Sequence, residues 1–80
     1  MNVTVLLFAS YAEQLGKSSL DMVLKPGDTV SDVVAKVRSM PGAATLPLEP
    51  LVAVNERYAK RDRVLANGDE VAIIPPVAGG

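Results

Sequence analysis

The stretch Thr29-Val-Ser-Asp-Val-Val-Ala-Lys-Val-Arg-Ser-Met40 decides the fold, because it is the one clear amphipathic helix of the sequence. Thr29 can begin this helix, and Asp32, three residues later, completes a start that resembles a capping box. Pro41-Gly42 should end it. Valine is a mediocre helix former, so this helix needs a sheet to pack against. Its apolar stripe, at the spacing of one helix face, consists of Val30, Val33, Val34, Val37 and Met40.

The segments on either side of this helix predict a sheet, since they are rich in β-branched and apolar residues. The predicted strands are residues 2–9, 19–24, 51–55 and 70–74, with a short return strand around Tyr58. One main helix packed on a mixed sheet of four to five strands is an α+β domain. The element order is that of the β-grasp, or ubiquitin-like, fold. We predict a domain over residues 1–75 and an extended diglycine tail over residues 76–80.

Shorter features connect these elements. Residues 10–16 predict a short helical turn, with Ser10 as its N-cap and Gly16 as its end. Residues 25–28 predict a turn, and so does Asn67-Gly68. Residues 41–50 form the most apolar loop of the chain.

Composition excludes several functions. The 80 residues include no Cys and no His, so a thiol cannot carry sulfur and the commonest general base and metal ligand is missing. We therefore predict no catalytic residues and no metal site. A net charge of −1 gives no basic patch for nucleic acid or anionic membranes. Without an apolar run that could span a membrane or a signal peptide, the expected location is the cytoplasm.

The last residues, Val71-Ala-Ile-Ile-Pro-Pro-Val-Ala-Gly-Gly80, indicate a buried strand, a stiff turn and a bare end. Pro75 and Pro76 lack backbone donors, so the strand must stop there. The residues beyond them have small side chains, and glycine lets another backbone approach closely. Such a tail could bring a carboxylate into a narrow channel of a partner, although a frayed terminus explains it equally well on these grounds. The predicted tail is Pro75, Pro76, Val77, Ala78, Gly79 and Gly80.

Three stretches carry a resemblance to a known family. Ile74-Pro-Pro-Val-Ala-Gly-Gly80, Leu7-Phe-Ala-Ser-Tyr-Ala-Glu-Gln-Leu-Gly16 and Leu51-Val-Ala-Val-Asn55 are similar to the small, sulfur-carrier subunits of molybdopterin synthase. The resemblance spans nearly the whole chain, and its most specific part is the tail. It departs at Ala12, where the family often has Arg.

The resemblance implies a carrier that is not an enzyme on its own. An activating enzyme similar to ubiquitin E1 would adenylate Gly80. This transient acyl-adenylate would be the only form of the chain that carries a nucleotide. A sulfurtransferase or desulfurase would supply sulfur to give a thiocarboxylate (1-thioglycine). The large synthase subunit, expected in a heterotetramer, would use that sulfur to build molybdopterin from cyclic pyranopterin monophosphate. No permanently bound cofactor is implied.

The strand alternation also predicts an apolar patch on the outer face of the sheet. If Val3, Val5 and Leu7 face the helix, the intervening side chains face away from it. One helix cannot cover both faces, and exposed apolar patches mark interfaces. The alternative is that the loop of residues 41–50 covers this face. The predicted partner interface is Leu6, Phe8, Tyr58, Ala72 and Ile74.

Other candidates are weaker. Interleaved charges indicate a solvated surface or rim contacts to a partner; they are Glu56, Arg57, Lys60, Arg61, Asp62 and Arg63. Tyr11 and Tyr58 have no base nearby in sequence, so packing is favoured over nucleophilic roles. Asn55 indicates turn chemistry.

Three functional alternatives remain open beside the synthase subunit. The thiamine-pathway sulfur carrier shares the fold but generally lacks the Pro75-Pro76 pair. A ubiquitin-like modifier would form isopeptide bonds through Gly80. A binding module would not need its tail.

Overall fold

The computed structural model describes residues 1–75. Over this range the chain forms five strands and two helices. They are β1 (Asn2–Leu7), α1 (Ala9–Leu15), β2 (Ser19–Val23), α2 (Val30–Arg38), β3 (Leu51–Val54), β4 (Arg57–Tyr58) and β5 (Glu70–Ile74).

The strands form one sheet in the order β2-β1-β5-β3-β4. The central pair, β1 and β5, is parallel, and the other neighbours are antiparallel. This mixed sheet with its helices confirms the predicted α+β class and the β-grasp order. Since β5 is the middle strand of the five and is hydrogen-bonded on both sides, the chain reaches Pro75 from the centre of the sheet.

The core lies between α2 and one face of the sheet. The predicted valine stripe of α2 is buried, and it meets Val5, Val71 and Ile73, whose side chains are fully buried. This confirms the predicted orientation of β1 and β5. Leu6, Ala72 and the other residues at alternate positions therefore project from the opposite, outer face.

The predicted end of α2 at Met40 is wrong by two residues. The helix ends at Arg38 with Ser39 as its C-cap, and Met40 lies half-buried outside it. The Ser39 hydroxyl donates to the Lys36 carbonyl at 2.7 Å. Pro41 disfavours helical backbone at the preceding residue, so the helix cannot include Met40.

The start of α2 agrees with the predicted capping. The Asp32 carboxylate accepts hydrogen bonds from the Thr29 N–H at 2.7 Å and the Thr29 hydroxyl at 3.1 Å. These bonds, the backbone one foremost, hold the pKa of Asp32 below its usual range. The first helical N–H groups are satisfied from further along the chain: Val30 and Ser31 donate to the carbonyls of Arg63 and Arg61 at 3.0 and 2.9 Å.

The short helix α1 begins earlier than predicted. Its N-cap is Phe8, and Ser10 lies inside the helix. The reason is that β1 ends at Leu7 and the Phe8 carbonyl accepts the N–H groups of Tyr11 and Ala12, which leaves no turn for Ser10 to cap. The predicted end at Gly16 is confirmed, with φ of 76° and an N–H that donates to Ala12.

The loop of residues 41–50 packs beside the helices. Gly42 lies against the backbone of Gln14, the Arg38 guanidinium donates to the Leu46 carbonyl at 3.3 Å, and Ala43 is buried. Leu46 joins the core. Later in the loop, Pro47, Glu49 and Pro50 lie beside Leu51 and Ile74 at one end of the outer face of the sheet. The loop leaves the rest of that face uncovered.

Neither α1 nor α2 has the length and hydropathy needed to cross a lipid bilayer.

Candidate functional site

The outer face of the sheet carries a row of apolar side chains across four strands. Leu6 on β1 is level with Ala72 on β5. Ala72 is level with Ala53 on β3, and Ala53 with Tyr58 on β4. Because paired residues on adjacent strands share a face, the row is continuous from one side of β5 to the other.

A second row lies toward the end of β5. Ile74 is level with Leu51, which is 49% exposed. Phe8, just beyond β1, is 45% exposed. Most residues of these two rows, although not Leu51, line an open groove of about 430 Å³ on the outer face, termed here the outer groove. It is lined by Leu6, Phe8, Ala53, Glu56, Tyr58, Glu70, Ala72 and Ile74.

The structure brings together all five side chains that the strand alternation predicts as an interface. Leu6, Ala72 and Ile74 are half-buried in the outer groove, whereas Phe8 and Tyr58 are largely exposed beside it. No residue of the 41–50 loop lines this groove. The patch is therefore open on the described part of the chain, and its role as a partner surface stays a prediction.

Four residues of this region escaped the sequence prediction. Leu51 and Ala53 occupy the positions between Val52 and Val54, so strand alternation places them on the outer face once β3 is oriented. Because all four residues are apolar and Ala53 is itself buried, the sequence did not show which pair faces outward. The two glutamates, Glu56 and Glu70, gave no such signal. They lie beside the groove because β3 pairs with β5, and this pairing could not be predicted from the sequence.

The polar end of the groove is built around Asn55. Asn55 and Glu56 have φ of 50° and 70°, the left-handed conformations of a type I′ hairpin turn. The Asn55 side chain accepts the Glu70 N–H and donates to the Asp69 carboxylate, both at 2.9 Å. Its own N–H donates to the Glu70 carbonyl at 2.8 Å. The predicted turn role of Asn55 is confirmed and extends to fixing the start of β5.

The Asp69 carboxylate completes this arrangement. It accepts the Ala66 N–H at 2.8 Å in addition to the Asn55 amide. The bond from Ala66, followed by that from Asn55, holds the pKa of Asp69 below its usual range. Asp69 is thus engaged in holding the turn before β5, where Asn67 also accepts the Asn2 N–H at 2.8 Å.

The strand β5 ends where the two prolines predict that it must stop. The strand β5 ends at Ile74, directly before Pro75, which is half-buried. The rest of the predicted tail lies outside the described residues, namely Pro76, Val77, Ala78, Gly79 and Gly80. The last described residues thus lie beside the outer groove, since Ile74 lines it.

The remaining candidates fall elsewhere. The charged residues of positions 60–63 are exposed, as predicted, and Arg61 forms an ion pair with Glu49. Tyr11 is buried in the core, which confirms its packing role. Among residues 1–75, no group of three or more acidic side chains is placed to hold a metal ion.

Known proteins resemble this chain over almost its whole length. The model of the ThiS family matches residues 5–80. The molybdopterin synthase sulfur carrier subunit of Dictyostelium discoideum is 38% identical over 80 residues, covering 95% of this chain and 93% of that protein. The subunit of the same name from Escherichia coli is 35% identical over 81 residues, covering 98% and 99%.

A solved structure gives the same result for the fold. The crystal structure of SAMP1 from Haloferax volcanii superposes with a TM-score of 0.86 at 29% identity, and the match covers 100% of both chains. The predicted ubiquitin-like fold is thereby confirmed.

Proposed function

The chain belongs to the ThiS family, and from this membership we propose that it is the sulfur-carrier subunit of a molybdopterin synthase. The observation that carries the proposal is that the family match runs through Gly80, so it includes the diglycine end. The relatives named above are sulfur carrier subunits, and their matches cover 95% and 98% of this chain. In this role the protein is a carrier and not an enzyme on its own.

The chemistry is proposed to reside on the carboxylate of Gly80. A carboxylate is a poor electrophile, so the activating enzyme first joins it to AMP from ATP and releases pyrophosphate. The persulfide of a sulfurtransferase or desulfurase then displaces AMP to give an acyl persulfide. A thiol reductant cleaves its S–S bond, which leaves a thiocarboxylate on Gly80 and a disulfide on the donor side. The sulfur passes to cyclic pyranopterin monophosphate, and water restores the carboxylate. The absence of Cys supports this assignment, because no other group of the chain can hold sulfur in this way.

The rest of the molecule is proposed to present this end to its partners. The domain of residues 1–75 holds β5, and residues 76–80 act as the extended tail that the large subunit and the activating enzyme receive. Pro75 and Pro76 have no backbone N–H to donate to a neighbouring strand. The interface residues Leu6, Phe8, Tyr58, Ala72 and Ile74 lie beside the point where the tail begins, which supports their proposed role in docking.

A second candidate is a protein modifier. The similarity to SAMP1, a small archaeal modifier protein, favours it at 29% identity. Both functions begin with an activated glycine carboxylate, and they differ in the acceptor. Isolation of conjugates linked from Gly80 to lysine side chains would identify the modifier, whereas a thiocarboxylate that is consumed with molybdopterin formation identifies the carrier.

The carrier function can be tested in a bacterial strain that lacks its own molybdopterin synthase carrier subunit. We expect the full chain to restore molybdopterin and the chain without Gly79-Gly80 to fail. A chain extended by one alanine after Gly80 is the matched control, because it keeps both glycines but moves the carboxylate. Both altered chains should retain the wild-type melting temperature.

Restoration of molybdopterin by either altered chain would contradict the proposal. It would show that the carboxylate of Gly80 is not needed and would favour the binding-module alternative, which does not use the tail. Rescue of a strain that lacks the thiamine-pathway carrier, in place of the molybdopterin strain, would assign the chain to that pathway.

A further inference from the structure

The outer groove is apolar along its floor and acidic at one end. Ala53 and Ala72 lie level with each other at its centre. Glu56 and Glu70 line the end that is formed by the β3–β4 turn and the start of β5. Phe8 and Ile74 line the same groove near the end of β5.

The two glutamates have no cation beside them in the groove. None of the eight Lys and Arg residues of the chain lines it. Arg57, the nearest in sequence, is level with the buried Val54, so its side chain leaves β4 on the opposite face from Tyr58. The ion pair found in residues 1–75 joins Arg61 to Glu49, outside this groove.

The acidic end is also held in place by the backbone. Asn55 bonds both the N–H and the carbonyl of Glu70, and the next residue along the chain is Glu56. The backbone positions that carry the two carboxylates are therefore joined by hydrogen bonds between the β3–β4 turn and the start of β5. Both charges consequently lie at the same end of the groove, where charge can favour one partner over another.

We propose that the outer groove receives an apolar side chain of the large synthase subunit that is flanked by Lys or Arg, and that Glu56 and Glu70 select this partner by pairing with the cation. The inference rests on the proposed function, which supplies the large subunit as the occupant. Charge complementarity carries it: an apolar floor attracts any apolar surface, whereas the acidic end of the groove rejects a partner whose flanking charge is negative.

The test measures the association rate of the full chain with the large subunit from the same organism at several salt concentrations. Glu56→Lys and Glu70→Lys reverse the charge at the groove. Asp62→Lys is the matched control, since it makes the same charge change at an exposed residue that does not line the groove. Glu56 has a positive φ, and both Glu and Lys have a Cβ. The free-energy cost of this backbone conformation is therefore the same in Glu56→Lys as in the wild type.

We expect each groove variant to bind about tenfold more slowly at low salt and to lose the decrease of rate with salt that the wild type shows. Asp62→Lys should remain within about twofold of the wild type. Melting curves for all three variants establish that they are folded.

Groove variants that bind at the wild-type rate would overturn the inference, and so would an equal slowing by Asp62→Lys, which would reveal an effect of net charge alone. If the wild type binds the large subunit and carries sulfur in either of these cases, the proposed function stands. A wild-type chain that does not bind the large subunit overturns both.

Discussion

Gly42 occupies a position that admits no side chain. Its φ is 91°, and a Cβ added there would lie 2.3 Å from the backbone oxygen of Gln14. Real Cβ atoms do not come so close to a backbone atom, so either the loop or α1 would have to move. This one glycine thus lets the loop of residues 41–50 pack against α1.

We expect Gly42→Ala to be the most destabilising exposed glycine substitution in residues 1–75. The backbone conformation costs about 1–2 kcal/mol for a residue with a Cβ, and the collision with Gln14 adds about 1–3 kcal/mol. Gly27→Ala is the matched control, because Gly27 has φ of 92° but open space around it. Urea unfolding of both variants measures the difference in the free energy of unfolding.

Equal stability of the two variants would contradict the close packing of Gly42 on α1. A loss confined to Gly42→Ala would support it, since the conformational cost is common to both.

Single residues also mark how far the sequence could be read. The stripe of Val30, Val33 and Val34 has the period of a helix, so it could be predicted from the sequence alone. The end of the helix at Arg38 could not, because it depends on the Ser39 hydroxyl, which donates to the Lys36 carbonyl before Pro41 is reached. Asn55 forms hydrogen bonds to Asp69 and Glu70, which lie 14 and 15 positions further along the chain. No local sequence pattern predicts contacts at such a separation.

At the scale of elements, β5 serves both faces of the sheet. Val71 and Ile73 are fully buried under α2, whereas Ala72 and Ile74 line the outer groove. The alternation of β5 and β1 was sufficient to predict this division. The sequence did not give the strand order, and only that order shows that Leu51 on β3 and Phe8 beyond β1 lie on either side of Ile74.

Phe8→Asp tests the proposed interface without threatening the fold. Phe8 is the N-cap of α1 and its side chain makes no capping hydrogen bond, while Asp is a favoured N-cap residue. We expect the variant to fold and to bind the large subunit at least tenfold more weakly, because a charge replaces an apolar contact. Affinity measured by calorimetry, with a melting curve alongside, provides the result.

Val23→Asp is the control for this substitution. Val23 is 73% exposed and lies on the same face of the sheet, level with Asn2, but it does not line the outer groove. Phe8→Asp that binds as well as the wild type would contradict the interface. So would an equal loss of affinity for Val23→Asp.

At the scale of the whole molecule, the folded domain of residues 1–75 is distinct from Gly80, where the proposed chemistry resides. The described residues provide a core, a central strand that leads to Pro75 and an acidic, apolar groove beside it. Among these described residues, no group of acidic side chains is placed to hold a metal ion, and the proposed chemistry is assigned to Gly80. The family match extends over those residues to Gly80.

The intact mass of the protein purified from its native host tests the central claim most directly. The carrier account predicts a population whose mass has increased by the replacement of one oxygen with sulfur, and tandem fragmentation that places this change on Gly80. A preparation that never gains sulfur while the host makes molybdopterin, or a fragmentation pattern that places the sulfur on any other residue, would contradict it.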